Sequence, residues 1–505
     1  MAGRQGGGVT PTRITVGAEV VVHGLRPDEM RAVSELLSYP NPEFVRREKA
    51  GSWVGNIDPK IRACRTDKGS LVCPRGAFHT VRRKLAELGR EGVIEPGTTF
   101  VPLREGVPFL APDAASGAPR LYQLEAEERL LRQVQGYVVL PCGAGKTFVG
   151  ARALIRSGQA ALVLCHTGDL LDQWRDAIYR ASGTPPRLIG DEHSGDFRPA
   201  RPREVVAALI QSVQAAGPKA LGLLRSVGAV LVDEAHRAPC AGYVDLLAKC
   251  PARYRWGLTA TPDRADGLGF LLGYHVGPEL YRKTPRELAA EGHLRLPRAV
   301  LVRTGWTAGE DVRDRTGRLE WHKTVAGFST DPKRDAVICD LAAACVESGR
   351  TTLVLVHRVD HAGRIAAQLR KRGIAAEAVT GQTDRGHRKR RINDARRGRV
   401  DCLVATQLAD EGLDVPNLAA LVTAAPQRAE GRALQRLGRL TRPGTDKLAP
   451  IAFDLVDGGL EHQARARAAA YAREYDAEPG RSIDLAAALV MLRGLDAEDV
   501  LGVAL

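Results

Sequence analysis

Short apolar runs alternate with amphipathic stretches twice along this chain, and few folds accept that rhythm. Between about 118 and 295 the runs are "YVVL", "ALVLC", "VVAALI", "GAVLV" and "WGLT". Near 297 the pattern restarts with "RAVLV", "TTLVLV", "DCLVA", "LAALVTAA" and "IAFDLV". Runs that are apolar throughout belong to strands covered on both faces, and the amphipathic stretches between them supply the helices that cover. The expected fold class is therefore α/β, with two doubly wound parallel-sheet units in tandem. At 505 residues the chain is also too long for a single core.

Residues 1–115 do not follow this rhythm. They mix short alternating runs with helical stretches around 28–37 and 78–88, a small α+β module. They end in "LAPDAASGAPR", whose proline and small residues read as a linker. The expected divisions are thus 1–115, 116–295, 296–480 and a helical tail 481–505. Segment 303–334 shows no clear period and reads as an excursion from the second α/β unit. The tail after Arg481 has apolar residues at helical spacing, which predicts packing against that unit.

Apolar content of 44% and charged content of 26% describe a soluble globular chain. No apolar signal core opens the sequence and no stretch is apolar for long enough to span a bilayer. Nine cysteines include no C-x-x-C pair, which suits a reducing cytoplasm. Net charge is +14, and it is localised. Residues 1–39 carry four Arg and four acidic residues, whereas 40–90 carry 12 Lys/Arg against five Asp/Glu. That excess favours a polyanionic partner for the first module. Arg46, Arg47, Lys60, Arg62, Arg75, Arg82 and Arg83 are the candidate phosphate contacts, with Phe44, Trp53 and Phe78 among them. A packing appendage whose charges only solvate it is the competing reading.

The stretch "VVLPCGAGKTFVG" sets Pro141, Cys142, Gly143, Ala144, Gly145 and Lys146 between an apolar run and a helical one. Backbone amides there could surround a triphosphate at a helix N-terminus. Lys146 would contact the terminal phosphates and the Thr147 hydroxyl would ligate magnesium. The usual spacing asks for glycine at 140, where this chain has Leu140. Further on, "GAVLVDEAHRAP" ends an apolar strand in two adjacent carboxylates, costly near a core unless a cation compensates. Asp233 suits a magnesium ligand and Glu234 the base that orients attacking water. In "QRLGRLTRPG", Gln435, Arg439 and Arg442 would share one helix face, so the two arginines are candidates for stabilising the transferred phosphate.

Taken in order, "RLYQ", "LPCGAGKT", "LVLCHTGDLLDQW", "DEAH", "GLTATP", "LVLVHR", "VTGQT", "VATQLADEGLDVP" and "QRLGRLTR" resemble superfamily 2 helicases and translocases over about residues 118–475. "LPCGAGK" is similar to the phosphate loop of the xeroderma pigmentosum group B branch and its phage relatives. Leucine is normal there, so Leu140 places the chain instead of disqualifying it. "GLTATPDRADG" also resembles that branch, although Arg264-Ala265-Asp266 lacks the middle carboxylate of its Arg-Glu-Asp triplet. The resemblance implies two RecA-like domains with ATP and Mg2+ bound between them. It implies Arg120 and Gln123 at the adenine, Thr259 and Thr261 as the coupling element, and Gly412 and Asp414 meeting both ribose and nucleic acid. By the same resemblance, nucleic acid meets His166, Thr167, Gln211, Ser212, His357, Arg358, Thr380, Gly381 and Thr406, through phosphates and without reading sequence. The run "RGHRKRRINDARRGR" reads equally as a DNA patch and as the solvated face of a helix.

The function so implied is an ATP-dependent DNA helicase or duplex translocase, monomeric, acting on duplex, forked or junction DNA in repair, recombination or replication. An RNA helicase, the motor subunit of a restriction complex, and a nucleotide-gated nucleic-acid clamp are the alternatives. No membrane partner is expected, and the sequence leaves protein partners open.

Overall fold

The computed structural model describes residues 11–90, 92–95, 118–190, 195–238, 240–262, 267–406, 415–426, 430–441, 448–475, 477 and 480–501. The chain divides into two compact units, residues 1–139 with 146–282 and residues 140–145 with 283–505.

The first unit opens with the small module. Its strands are β1 (Arg13–Val16), β2 (Glu19–His23), β3 (Ser38–Pro40), β4 (Lys60–Arg62), β5 (Arg65–Asp67), β6 (Ser70–Pro74) and β7 (Val93–Glu95). Five of them form a mixed sheet in the order β5-β6-β2-β1-β7, and β3 pairs with β4 apart from it. Helices Pro27–Leu36 and Phe78–Glu87 close its core, with Val33, Val81 and Leu85 packed on Val20 and Val22.

Next come β8 (Gln135–Val139), β9 (Ala161–Cys165), β10 (Arg187–Ile189), β11 (Val205–Leu209), β12 (Ala229–Val232), β13 (Tyr254–Thr259) and β14 (Glu279–Arg282). They make one sheet in the order β10-β11-β9-β12-β13-β8-β14, parallel at every pairing. Each apolar run read from the sequence is one of its strands. β9, β11 and β12 are buried at every residue, as strands covered on both faces must be. The edge strands β10 and β14 are short and polar, and gave no run to find.

The module is fastened to this sheet by buried arginines. Arg75 is 1% exposed, and its guanidinium donates to the carbonyls of Ala252 and Arg253. Arg255, 2% exposed on β13, donates from Nη2 to Ala18 at 2.9 Å, Leu247 at 2.8 Å and Cys250 at 3.1 Å. The last two carbonyls lie at the C-terminal end of helix Ala241–Lys249, where the helix dipole favours a cation. The reading of Arg75 as a phosphate contact is thereby corrected: its charge is spent on carbonyls inside the protein. Between the two arginines the turn at Arg75–Ala77 packs on helix Leu271–His275 so closely that a side chain on Gly76 would strike the carbonyl of Gly273.

The second unit has β15 (Arg298–Thr307), β16 (Thr351–Val356), β17 (Ala376–Val379), β18 (Cys402–Thr406), β19 (Leu418–Thr423) and β20 (Ile451–Gly458), all parallel, in the order β15-β20-β19-β16-β18-β17. Two aspartates three apart on β20 point to opposite faces. Asp454 receives Arg467 at 2.7 and 2.8 Å and the Tyr471 hydroxyl at 3.0 Å, both from helix Glu461–Tyr475. Asp457 receives Arg334 at 2.8 and 3.0 Å, from helix Pro332–Glu347. One strand so bolts a helix to each face. Segment 303–334 proves to hold the end of β15 and helix Trp321–Thr330, where Phe328 is 0% exposed against the Trp306 ring. In the tail helix Leu485–Leu501, Ala488, Leu492 and Leu495 enter the core of this unit, as their spacing predicts.

Replacing Arg75 with Ala strips both carbonyls of a charged donor and should cost about 2–3 kcal/mol of unfolding free energy in urea titration. Arg82→Ala, on the exposed side of the neighbouring helix, should stay within about 0.5 kcal/mol. Equal effects from the two variants would show that Arg75 does not hold the module.

Candidate nucleotide and nucleic-acid site

A sheet whose strands all run one way gathers every strand's carboxyl end along one edge, where open α/β sheets bind ligands. Along that edge of the first unit the sequence candidates separate into two neighbouring groups. The phosphate loop leaves β8, Thr259 ends β13 and Asp233 follows β12, three adjacent strands. His166 and Thr167 follow β9, while Gln211 and Ser212 follow β11, the next two strands. The nucleotide candidates fall on one half of the edge and the nucleic-acid candidates on the other.

In the loop, Gly143 has φ 81° and Gly145 φ 83°, a left-handed backbone that side chains resist. Ala144 between them is fully buried and its N–H donates to Pro141 at 3.2 Å. Helix Lys146–Arg156 begins directly after Gly145, which puts Lys146 and Thr147 in its first turn, both partly exposed. Gln123 lies in helix Leu121–Arg132, where its Oε1 accepts from the Arg120 N–H at 3.0 Å. The two helices are tied by Glu127, 0% exposed, which accepts from Arg152 and Arg156 at 2.8 Å each. That ion pair fixes the helix of Gln123 relative to the helix that begins at Lys146.

The carboxylate pair is built with equal care. Asp233 is 3% exposed; its Oδ2 accepts from Trp174 Nε1 at 2.8 Å and its Oδ1 from the Glu234 N–H at 2.9 Å. Burial, then the charge of Glu234 alongside, push the Asp233 carboxyl above its ordinary value, with Lys146 and the Trp174 bond pulling the other way. Glu234 adopts φ 47° and ψ 54°, a strained turn for a residue with a side chain. Its Oε2 is buried without a hydrogen bond, and His236 Nδ1 stands 3.5 Å from it. The same Nδ1 lies 3.2 Å from the Thr259 hydroxyl, whose oxygen accepts from the Thr261 N–H at 3.2 Å. His236 thus joins Glu234 to Thr259. Neither it nor Trp174 was singled out from the sequence, although both stand inside quoted motifs, "DEAH" and "DLLDQW".

These residues fit a magnesium–triphosphate. A buried carboxylate faced by two neutral donors and a lysine, beside an orphaned buried carboxylate oxygen, has the electrostatic need that a dication meets. A glycine-opened loop at a helix N-terminus meets the need of phosphate.

On the other half of the edge, Gln211 Nε2 donates to the His166 carbonyl at 3.1 Å, which holds the two candidate segments together. The Thr167 hydroxyl accepts from the Leu170 N–H at 3.3 Å and caps helix Gly168–Ser182. In the second unit, His357 and Arg358 follow β16, Thr406 ends β18, and Thr380 and Gly381 follow β17, again three adjacent strands. Of these, Arg358 pairs with Asp360 at 3.1 Å and His357 Nε2 meets the Pro426 carbonyl at 3.0 Å. Thr380 is 6% and Thr406 4% exposed, and the Thr406 hydroxyl is buried without a hydrogen bond.

Helix Glu430–Gly438 stops short of the expected face. Arg439 N–H reaches back three residues to Arg436 at 3.1 Å and Leu440 to Leu437 at 3.0 Å, so Gln435 is helical and Arg439 is not. Gly438 weakens the helix at that point, and a side chain there would approach the Tyr475 hydroxyl to 2.6 Å. Arg442, Gly412 and Asp414 lie outside the described residues. In the small module Arg46 is exposed; Arg47 pairs with Glu43 at 2.7 Å, Arg62 with Asp58 at 2.9 Å and Lys60 with Glu35. Helix Arg385–Arg396 carries the basic run, with Lys389, Arg390 and Arg396 exposed.

Asp233 gives a pH signature. The folded chain holds its proton more tightly than the unfolded chain, so the ionised carboxylate costs stability. Relative to Asp233→Asn, the nucleotide-free protein should gain stability as pH falls through the raised folded value toward 3.8, and lose it as pH rises until the difference levels off. Urea midpoints of both proteins between about pH 4 and 8 measure this. A difference that does not vary with pH would show a solvated carboxylate.

Comparison with known proteins agrees with this arrangement. Residues 116–264 match the family described as type III restriction enzyme, res subunit, and residues 333–444 match the helicase conserved C-terminal domain. A DNA 3'-5' helicase XPB of Kineococcus radiotolerans is 26% identical over 519 aligned residues, covering 99% of this chain and 88% of that one. A helicase of Escherichia phage T5 is 26% identical, covering 65% of this chain and 70% of its own. Among solved structures, Saccharomyces cerevisiae Dbp5 bound to RNA and ADP BeF3 superposes with a TM-score of 0.57 at 16% identity, over 76% of this chain and 97% of that chain. That likeness concerns the two-domain helicase fold alone. The two family matches fall in order on the two parallel-sheet units, and the chain is similar to XPB helicases and to a phage helicase.

Proposed function

We propose that the protein is an ATP-dependent DNA helicase or duplex translocase that steps along one strand of duplex, forked or junction DNA. The carrying observation is the buried Asp233 with the partly exposed Glu234 alongside it, acted on by the charge of Lys146 and linked through His236 to Thr259. In this reading Lys146 and the amides of 143–146 bind the phosphates, and Thr147 and Asp233 hold Mg2+. The metal supplies positive charge to the phosphoryl group in flight. Glu234 takes the proton of the attacking water, and Gln123 orients the adenine. Thr259 and Thr261 sense the nucleotide through His236, so that hydrolysis alters the neighbouring strand ends, where His166, Thr167 and Gln211 would meet phosphates.

The second unit contributes Gln435, Arg439 and Arg442 to the γ-phosphate and its own strand-end residues to the nucleic acid. Gly412 and Asp414 would serve both ligands. Phosphate contacts from hydroxyls and amides make binding sequence-tolerant. The small module, residues 1–115, would choose the substrate, with branch migration or fork remodelling as the use. The protein would act as a monomer. We adopt 3'-5' polarity, which the names of its XPB relatives give for those proteins.

ATP hydrolysis, strand displacement and a panel of single-stranded, duplex, forked, four-way-junction and RNA substrates test this. Lys146→Ala and Glu234→Gln should abolish turnover, and Arg439→Ala should lower it by about 10³-fold or more. Forked and duplex DNA should stimulate hydrolysis, and a 3' tail should support displacement where a 5' tail does not. Stimulation by RNA alone would replace DNA as the substrate. Nucleotide binding without turnover would leave a clamp.

A further inference from the structure

Trp53 is 81% exposed. Trp174 and Trp256 are 0% exposed and Trp321 43%. Tryptophan has more apolar surface to lose from water than any other side chain, and the core of the small module is complete without it. An aromatic left outside a finished core points to a surface that meets something flat.

The segment that presents it is built. Asn41 caps helix Pro42–Lys49 by accepting from the Glu43 N–H at 3.0 Å, and its Nδ2 donates to the Asp58 carbonyl at 3.0 Å. The Asn41 N–H donates to Pro59 at 2.8 Å, the Ser52 N–H to Arg47 at 2.9 Å and the Ile57 N–H to Val54 at 3.0 Å. Both ends of the loop are so tied to one helix. Gly55, at φ 45°, lies against the indole ring in the space a side chain would occupy. One side of the ring rests on bare backbone while the rest stays open.

The helix that leads into the loop carries one exposed acidic residue outside an ion pair, Glu48, among its exposed cations. Arg46 and Lys49 stand one turn apart on the helix that leads into the loop, both exposed and without an acidic partner among the described residues. Lys60 and Arg62 are exposed too, each beside its carboxylate. An aromatic plane next to cations one helical turn apart is the combination that holds a base by its face and the adjoining phosphates by charge. Within a duplex, base faces are covered by their neighbours, and an indole on a surface has nothing to stack on.

We propose that Trp53 is a stacking platform for an unpaired DNA base, with Arg46 and Lys49 on the flanking phosphates, so that the small module selects DNA with a single-stranded arm. This rests on the DNA helicase reading and names the substrate feature that the module recognises.

Fluorescence anisotropy with three labelled DNAs tests it: a 20-nucleotide oligo(dT), a fork with single-stranded arms, and a duplex closed by hairpins at both ends. Trp53→Ala should weaken binding of the first two by about 10-fold, within the range for losing one base–aromatic stack. It should change the closed duplex by less than about twofold. Trp53→Phe should restore most of the loss, since a phenyl ring still stacks. Intrinsic fluorescence of the wild type should be quenched by oligo(dT), with the quenching largely gone in Trp53→Phe. Unchanged fork and oligo(dT) binding in Trp53→Ala, as expected of a protein-docking residue, overturns the proposal. So does an equal loss on the closed duplex. If DNA stimulates hydrolysis in those cases, the helicase reading stands without it; a wild type that binds none of the three DNAs fails both.

Discussion

Parallel strand direction is the constraint from which the rest of this protein follows. Every strand of a parallel sheet leaves its carboxyl end on the same edge, so residues far apart in sequence must meet there. In the first unit that brings together residues from 146 to 261, and the sheet order sorts them, with the nucleotide candidates on β8, β13 and β12 and the nucleic-acid candidates on β9 and β11. Neighbouring strands are only about 4.8 Å apart, so Asp233 after β12 and the segment after β9 lie one strand apart. Proximity of the two groups of candidates is thus a property of strand order. No long relay is needed.

Buried charge distinguishes the parts that hold from the parts that react. Asp454 and Asp457 each face a guanidinium in two hydrogen bonds, Arg467 and Arg334, and their charge is answered inside the fold. Removing one partner of such a pair is strongly destabilising, which is what a bolt between strand and helix requires. Asp233 is as deeply buried but meets an indole and a backbone N–H, and its carboxyl is pushed upward. A carboxylate left short of countercharge is poor as a bolt and well suited to a cation that comes and goes with each turnover. The strained backbone of Glu234 beside it agrees with this, because strain persists where the surroundings hold it for use.

Legibility from sequence followed the same division. Strands buried on both faces announce themselves as apolar runs, and five in each unit were readable. The short β10, β14 and β17 were not, since an edge strand of three or four residues carries no period. Motif residues on strand ends were legible because chemistry dictates their type. The inward turn of Arg75 was not, because its partners, Ala252 and Arg253, lie some 177 residues away and offer only backbone carbonyls. Nothing in the identity of an alanine or an arginine marks its carbonyl as an acceptor. The helix at Gly438 differs from the expected continuous face: it ends at this glycine, which packs closely against the Tyr475 hydroxyl.

The way the small module is attached bears on how substrate and nucleotide could inform each other. Helix Leu271–His275, ten residues beyond Thr261, packs on the Arg75–Ala77 turn, with no room for a side chain at Gly76. Phe270, just before it, meets Tyr39 of the module and Tyr274 edge-on at 5.8 and 5.5 Å. Arg255, on the strand that ends in Thr259, donates to Ala18 of the module. The module therefore touches both the strand that ends in Thr259 and helix Leu271–His275 beyond it. Close-packed contacts of this kind do not deform gradually, so the module and the strand that carries Thr259 keep a fixed relation within the first unit.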